Sequence, residues 1–269
     1  MARTLLSNVS IFDGSGADLF PGEVLVDGNR IEAVAKAPER LDRSGAEVVD
    51  GGGATLMPGL IESHAHITFL STVDRRVADP LGPSRPGVEE TTLMAARAAG
   101  VLLDYGFTSA YSGGSHLPKV EVAIRNEIDG GWLPGPRLKA SSFEMQHPGP
   151  SGLRERSGTD AMREFVNDMA GVGVNCIKLV ISQDRHIEET GGGPVIFSED
   201  EIAATAEAAH EAGLFLTAHV RPAEAIKWTL RHGFRNLYHC NYIDEEGLDM
   251  LEERKASTFV GPAISISYV

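Results

Sequence analysis

The segment Pro58-Gly59-Leu60-Ile61-Glu62-Ser63-His64-Ala65-His66 gives the strongest indication of both fold and chemistry in this chain of 269 residues. Residues 55–60 are predicted to form a strand, and Pro58-Gly59 marks a turn next to the histidines. Side chains two residues apart in a strand point to the same face, so His64 and His66 can reach one cation. The pair predicts a metal site; the alternative is two surface histidines at a strand end.

After this segment, short apolar runs alternate with helical patterns, which is typical of a parallel α/β fold. Ser198 and Glu201 form a capping-box motif that marks the start of one helix. The predicted strands are 55–60, 108–111, 137–140, 176–181, 214–218, 236–239 and 258–260. The predicted helices are 88–105, 161–170, 199–212, 223–232 and 245–255.

The strand count predicts an incomplete TIM barrel. A (β/α)8 barrel has eight parallel strands, and residues 56–269 account for strands 1–7, with strand 8 absent. Residues 1–55 contain short strands and a hairpin turn at Asp27-Gly28-Asn29, which predicts part of a small β-sandwich domain. We therefore expect an α/β TIM barrel that is incomplete at the C-terminus and is preceded by a β-sandwich portion.

Two further histidines end predicted strands of the barrel. His219 directly follows the strand predicted at 214–218, and His239 is the last residue of the strand predicted at 236–239. Parallel barrel strands present their C-terminal ends at one rim, where active sites are built. His64, His66, His219 and His239 therefore predict a metal centre at this rim.

Lys178 lies inside the apolar strand at 176–181. Burial of a lysine costs free energy unless the side chain is paired or neutral, and the neutral amine is the reactive form. Lys178 is therefore a candidate member of the same site, and the alternative is a buried ion pair.

Composition excludes several classes of partner. Hydrophobic residues make up 42% and charged residues 23% of the chain, as in ordinary globular proteins. The net charge of −14 disfavours nucleic acids and anionic membranes as partners. Two cysteines cannot form a disulfide framework, and no targeting segment stands out, so we expect a cytoplasmic protein.

Taken together, these motifs resemble the amidohydrolase superfamily. Within it, the chain is similar to the branch of imidazolonepropionase-like and Xaa-Pro-dipeptidase-like hydrolases, which includes phenylurea and thiocarbamate hydrolases. The segments that carry this resemblance are Pro58–His66, Lys178 on the fourth strand, the two strand-terminal histidines, residues 195–202 before 208–213, and residues 242–247 after His239.

The resemblance implies a binuclear metal centre. His64 and His66 would hold the more buried ion, and His219 and His239 would hold the second. Lys178 would be carboxylated by carbon dioxide and bridge the two ions. Imidazole and carboxylate ligands suit zinc, with cobalt or manganese as alternatives.

The family also has an aspartate on strand 8 that ligates metal and acts as general base. This chain has no counterpart of that residue, so we expect the aspartate beyond residue 269, in a C-terminal remainder of the same protein. His239 lies in Tyr-His-Cys where the branch has Glu-His-Gly. The family resemblance further leads us to expect a homo-oligomer.

The implied activity is hydrolysis of a C–N bond in a small-molecule amide, urea or carbamate, and dipeptidase activity belongs to the same chemistry. One alternative is a mononuclear deaminase of the same superfamily. That subtype has no metal-bridging lysine, so Lys178 argues against it. Another is a noncatalytic fragment that needs a complementary chain. Candidate substrate contacts in the loops near the rim are Tyr111, His116, His147 and Arg221.

Overall fold

The computed structural model describes residues 3–69, 86–146, 156–184 and 187–263. The chain divides into two compact units, Met1–Leu60 and Ile61–Val269. The domains predicted at 1–55 and 56–269 stay a prediction. No helix in the described ranges combines the length and the apolar character that crossing a membrane requires.

The first unit is a five-stranded sheet. Its strands are β1 (Arg3–Ile11), β2 (Phe20–Asp27), β3 (Arg30–Lys36), β4 (Ala46–Asp50) and β5 (Thr55–Leu56). They run in the order β3-β2-β1-β4, and β5 also pairs with β1. The predicted hairpin is present, because Asp27 pairs with Arg30 across the Gly28-Asn29 turn.

The second unit alternates strands and helices. Its strands are β6 (Leu60–Ala65), β7 (Phe107–Ser112), β8 (Arg137–Lys139), β9 (Ser141–Met145), β10 (Cys176–Val180), β11 (Phe215–Pro222), β12 (Asn236–Tyr242) and β13 (Phe259–Gly261). Its described helices are α1 (Val88–Asp104), α2 (Pro118–Asp129), α3 (Thr159–Val172), α4 (Ile187–Thr190), α5 (Glu199–Glu211), α6 (Ala223–Arg231) and α7 (Glu245–Glu253).

The strands of this unit form two sheets. One has the order β13-β12-β11-β10-β9, with parallel neighbours, and the other has the order β6-β7-β8. Ala140 separates β8 from β9. The α/β architecture is confirmed, whereas closure of these strands into a barrel stays a prediction.

Alternation along the strands separates the core from the site. In β10, Ile177 and Leu179 belong to a large apolar cluster with the helices, while Cys176 and Lys178 point to the other face. The same alternation in β7 and β8 sends Ala110 and Leu138 into a second cluster. The opposite face of these strands is therefore the one on which polar side chains gather.

The first strand of the second unit begins later than predicted. The predicted strand at 55–60 is wrong, because Thr55–Leu56 joins the sheet of the first unit and the next strand starts at Leu60. Pro58 has no backbone N–H for a ladder, which explains the break between them. His64 consequently lies within β6, and His66 follows its last residue.

Strands β11 and β12 run past the histidines that were predicted to end them. Three residues of β11 follow His219, and three residues of β12 follow His239. The pairing of these two strands is irregular between Val220 and Pro222, where β12 has left-handed backbone at His239 and Cys240. The histidines thus lie at a bend of the strands rather than at their last residues.

Candidate metal centre

The four predicted histidines lie together in the second unit. The ring centroids of His64 and His66 are 4.8 Å apart, and those of His219 and His239 are 4.4 Å apart. The two pairs meet through His64 and His239, whose centroids are 5.7 Å apart. Residues from β6, β11 and β12 are therefore brought into one cluster, which we call the histidine cluster.

The loop after β7 shapes the histidine cluster at its β6 side. Nδ1 of His66 lies 3.1 Å from the backbone oxygen of Gly114. A β-carbon on Gly113 would lie 2.0 Å from Cδ2 of His64 and 3.1 Å from Cε1 of His66. The imidazoles can pack this closely against the loop because residue 113 has no side chain.

Tyr238 packs against His64. Its ring stacks on His64 with centroids 3.8 Å apart and an interplanar angle of 7°. The Tyr238 hydroxyl donates a hydrogen bond to the backbone oxygen of Ser63 at 2.8 Å. This fully buried tyrosine thus joins β12 to β6 beneath the cluster.

Lys178 is fully buried next to the cluster. Its Nζ donates to the backbone oxygen of Gly113, lies 3.5 Å from Oε1 of Glu144 and is 4.6 Å from the centre of the Tyr238 ring. Burial lowers the pKa of Lys178, and the neighbouring Glu144 opposes that change. The structure therefore shows an ion pair at a position that also favours a neutral amine.

The loop after β10 contributes an acidic side chain that contacts the cluster. Oδ1 of Asp184 lies 3.0 Å from Nε2 of His219 and 2.7 Å from Nε of Arg221. Burial alone would raise the pKa of Asp184, but hydrogen bonds from His219 and Arg221 hold it below its usual value. Asp184 is therefore ionised at neutral pH.

His239 combines a strained backbone with an unpaired ring nitrogen. Its φ is 79° and that of Cys240 is 52°, in the left-handed region where a non-glycine residue costs about 1–3 kcal/mol. Nδ1 of His239 is buried and has no hydrogen-bond partner within the described ranges. A ring nitrogen left without a partner is available to a cation.

Burial keeps the imidazoles of His64, His66 and His239 neutral at physiological pH. Burial lowers the pKa of His64 to about 2 and that of His66 to about 4, with the nearby Lys178 adding to both effects. Burial together with the adjacent His219 lowers the pKa of His239 to about 3. Neutral imidazole is the form that binds metals.

These residues fit a divalent cation in donor chemistry, because neutral imidazoles, an unpaired buried nitrogen and a carboxylate lie together. In the described part of the chain, however, no group of three His, Cys, Asp or Glu side chains has positions that would hold a metal ion as they stand. The cluster is therefore an assembly of donors rather than a finished coordination shell.

The predicted substrate contacts fall in different places. The His116 ring stacks on Phe69, which in turn stacks on His66, with centroids 3.8 and 4.2 Å apart. Tyr111 lines a cavity of about 720 Å³ together with Arg137 and Lys139, and none of the four histidines lines it. Arg221 contacts the cluster through Asp184. His147 lies outside the described residues.

A separate cavity of about 320 Å³ borders the first histidine pair. It lies between β6 and helix α1. Its lining residues are Glu62, His64, Ala65, His66, Ile67, Arg97, Ala98, Val101 and Leu102.

The sequence interpretation missed two carboxylates of the site, Glu144 and Asp184. Glu144 lies in β9, and this strand was not predicted because its sequence lacks an alternating apolar pattern. In the sheet, Glu144 pairs in register with Lys178. Asp184 lies in an irregular loop, where spacing gives no indication of direction. Only its position, six residues after Lys178 and four residues after the end of β10, could have drawn attention to it.

Comparisons with known proteins identify sequence relatives of this chain. No protein-family model matches the chain. It is 30% identical over 125 residues to a dihydroorotase from Streptomyces coelicolor, over 46% of this chain and 23% of that protein. It is 27% identical over 77 residues to a 5-methylthioadenosine/S-adenosylhomocysteine deaminase from Carboxydothermus hydrogenoformans, over 29% of this chain and 17% of that protein.

Solved structures match nearly the whole chain. An amidohydrolase structure has a TM-score of 0.75 at 27% identity and matches 96% of this chain and 65% of that one. A Xaa-Pro dipeptidase with bound methionine has a TM-score of 0.81 at 21% identity, over 98% and 67% of the two chains. Ochratoxinase from A. niger has a TM-score of 0.81 at 19% identity, over 98% and 66%.

The present chain is thus shorter than its relatives, spanning about two thirds of these structures and less than a quarter of the curated proteins. The structural neighbours, which also include phenylurea hydrolase B, are all of one superfamily, and the curated relatives fit it. The family prediction made from the motifs is therefore confirmed: this chain resembles the amidohydrolase superfamily.

Proposed function

We propose that this chain supplies most of the active site of a metal-dependent hydrolase that cleaves a C–N bond in an amide, urea or carbamate. The observation that carries the proposal is the convergence of His64, His66, His219 and His239 on one cluster. The fold and the superfamily resemblance support it. The proposed cofactors are two divalent ions, with zinc as the first choice and cobalt or manganese as alternatives.

A bound divalent cation lowers the pKa of water from 15.7 toward about 7 and so supplies hydroxide at neutral pH. The chain's own residues prepare the site for it. Nδ1 of His66 lies next to the Gly114 oxygen, and this contact orients the ring. His239 offers its unpaired Nδ1 in the same cluster.

Lys178 is proposed to join the site as a carboxylated side chain. Carbon dioxide reacts with a neutral amine, and burial shifts Lys178 toward that form. The Gly113 oxygen, which accepts a hydrogen bond from Nζ, orients the side chain toward the histidine pair. Glu144 would then lie beside the carboxylated lysine as a second carboxylate.

We further propose that the complete enzyme contains sequence beyond residue 269, including the strand-8 aspartate that would act as general base. The greater length of the structural neighbours supports this. A small-molecule substrate, assembly as a homo-oligomer and a cytoplasmic location complete the proposal.

The test is the metal content of protein purified without chelators, measured by elemental analysis. We expect up to two divalent ions per chain, and loss of both in a His64→Ala/His66→Ala double variant and in Lys178→Ala. Lys178→Arg should also lose metal, because a guanidinium stays protonated and cannot form a carbamate. His210→Ala, which changes an exposed histidine in α5, is the control and should retain the native content.

Native metal content in the double variant would refute the proposed ligands. Native metal content in Lys178→Arg would leave the Glu144 ion pair as the whole role of that lysine. In a hydrolysis assay on metal-loaded protein, release of ammonia from amino-substituted heterocycles would favour the deaminase alternative.

A further inference from the structure

Glu121 in helix α2 is a fully buried acidic residue. Its Oε1 accepts a hydrogen bond from Ser112 Oγ at 3.0 Å and lies 3.5 Å from Thr68 Oγ1. Its Oε2 accepts a hydrogen bond from the Ser141 backbone nitrogen at 3.0 Å. These partners are neutral groups, and burial of a carboxyl among neutral groups costs free energy. The segments to which the partners belong indicate what this carboxyl does.

The partners of Glu121 come from segments that surround the first histidine pair. Ser112 is the last residue of β7, and Ser141 is the first residue of β9. Thr68 lies two residues after His66, and its Oγ1 is 2.9 Å from Oγ of Ser115 in the loop after β7. One carboxyl group therefore connects helix α2 to the strand ends and the loop beside the histidine pair.

The Ser112 hydroxyl connects Glu121 to the Gly113-Gly114 loop. Its Oγ accepts a hydrogen bond from the Gly114 backbone nitrogen at 3.3 Å. Its single proton can go to Glu121 at 3.0 Å or to the Gly114 oxygen at 3.3 Å. A carboxylate is the stronger acceptor, so the proton points to Glu121 and the Gly114 oxygen stays open to another donor.

The Gly113-Gly114 loop in turn contacts two of the proposed metal ligands. The Gly114 oxygen lies 3.1 Å from Nδ1 of His66. A carbonyl oxygen can only accept, so this contact favours the His66 tautomer that has its proton on Nδ1. The Gly113 oxygen accepts a hydrogen bond from Nζ of Lys178. Displacement of the loop would therefore change the orientation of both side chains.

We propose that Glu121 is a positioning residue for the metal centre, and that it acts through the Ser112 hydroxyl on the backbone of Gly113 and Gly114. Its contribution is the shape of the loop that orients His66 and Lys178. The inference rests on the proposed function in naming a metal centre, whereas the tautomer of His66 is a property of the metal-free chain.

The test compares Glu121→Gln, Ser112→Ala and the double variant with the native chain at pH 8. Burial raises the pKa of Glu121 to about 7, so its carboxyl is mostly ionised at that pH. Nitrogen NMR of the histidine rings reports the His66 tautomer without metal, and His66→Gln identifies the signals of that ring. Competition with a chromophoric chelator measures zinc affinity, and urea unfolding measures stability.

We expect the native chain to hold His66 in the tautomer with the proton on Nδ1. Glu121→Gln and Ser112→Ala should each give a mixture of tautomers and bind zinc about tenfold more weakly, as is typical when hydrogen-bonded support of a ligand is lost. The double variant should lose no more affinity than Glu121→Gln alone, because both substitutions break the same connection.

The matched control is Glu201→Gln. Glu201 is 7% exposed in the same unit, and its carboxyl also accepts hydrogen bonds from backbone nitrogens, those of Gly158 and Ser198. The substitution thus makes the same chemical change at a carboxyl whose partners lie outside the Gly113-Gly114 loop. It should keep the native His66 signals and zinc affinity, even where it lowers stability.

Native His66 signals in Glu121→Gln would overturn the inference, as would an equal change in Glu201→Gln or losses of affinity that add in the double variant. If Glu121→Gln does not fold, native His66 signals in Ser112→Ala decide against it in the same way. Zinc binding with unchanged His66 signals in the variants would reject this inference and leave the hydrolase proposal standing. A tautomer change in a chain that binds no zinc would support the positioning of His66 and refute the hydrolase proposal.

Discussion

At the scale of single residues, Gly113 decides whether the first histidine pair can keep its place. A β-carbon there would lie 2.7 Å from Nε2 of His64, and the ring cannot move away freely because Tyr238 stacks on its face. The proposed ligand His64 can therefore keep its position only because residue 113 has a hydrogen atom where alanine would have a methyl group.

We predict that Gly113→Ala loses metal while the chain stays folded. The methyl group displaces the His64 ring, and a strained packing change of this size costs about 1–3 kcal/mol. Elemental analysis and urea unfolding measure the two effects. Gly100→Ala is the matched control: nothing lies within 4 Å of a β-carbon there, and alanine in helix α1 should stabilise by about 1 kcal/mol. Unchanged metal content in Gly113→Ala would contradict the assignment.

Residue types made part of the site predictable. Histidines next to β-strands and a lysine within an apolar run are rare choices that need an explanation, so His64, His66, Lys178, His219 and His239 stood out. Their convergence is seen in the structure, while their role as ligands stays a prediction. Glu144 and Asp184 could not be predicted, because acidic residues are common and their direction depends on a strand register and a loop that no local pattern specifies.

At the scale of elements, helix α2 places a carboxyl group in the protein interior. Glu121 is fully buried, and its carboxyl oxygens accept hydrogen bonds from Ser112 Oγ and the Ser141 backbone nitrogen, both at 3.0 Å. Burial raises its pKa from 4.5 to about 7, against the effect of these hydrogen bonds. The helix is thus anchored to β7 and β9 by a group that titrates near neutral pH.

We predict that Glu121 makes stability fall between pH 4.5 and 7. Its pKa is higher in the folded chain, so its contribution is fully present below pH 4.5 and is lost as the pH rises through about 7. The gap between these values corresponds to roughly 3 kcal/mol. In urea unfolding from pH 5 to 8, Glu121→Gln should show a correspondingly smaller loss, since its amide does not titrate. Glu127→Gln, an exposed position of the same helix, should follow the native curve. Identical pH dependence in Glu121→Gln and the native chain would refute this.

Elements whose ends are marked by a distinct sequence motif were predicted well. The capping box formed by Ser198 and Glu201 is confirmed, and α5 begins at Glu199 as predicted. Helix α2 and strand β9 were missed. The helix begins at Pro118 without a side-chain cap, and β9 follows β8 after one residue, so neither boundary has a distinct local pattern. Boundaries set by tertiary packing are the ones that a single sequence leaves open.

At the scale of the whole molecule, the outer strands of the second unit have open edges. Within the described ranges, β6 and β13 each have one hydrogen-bonded neighbour. Apolar side chains are exposed on both, including Ile61 at 63% and Val260 at 41%. Open edges with apolar side chains favour pairing with other chains. The net charge of −14 opposes such pairing by mutual repulsion.

We predict that the 269-residue chain self-associates, and that added salt increases association because it screens this repulsion. Sedimentation velocity at several salt concentrations measures it. Ile61→Lys and Val260→Lys should each reduce association, since a charge on an edge strand disfavours pairing. Leu93→Lys changes an exposed apolar residue of helix α1 and should leave association unchanged. A monomer at every concentration, or an equal effect of Leu93→Lys, would contradict the prediction.

The hydrogen bond from Tyr238 to Ser63 has a consequence for the order in which the molecule is made. The two residues are 175 positions apart, and closing a loop of that length costs roughly 5 kcal/mol of chain entropy. At synthesis rates of about 5–20 residues per second, Ser63 waits roughly 10–35 s for Tyr238 to be added. His64 and His66 therefore exist as a separate, incomplete half during translation. The histidine cluster becomes whole only when one of the longest-range contacts of the fold has formed.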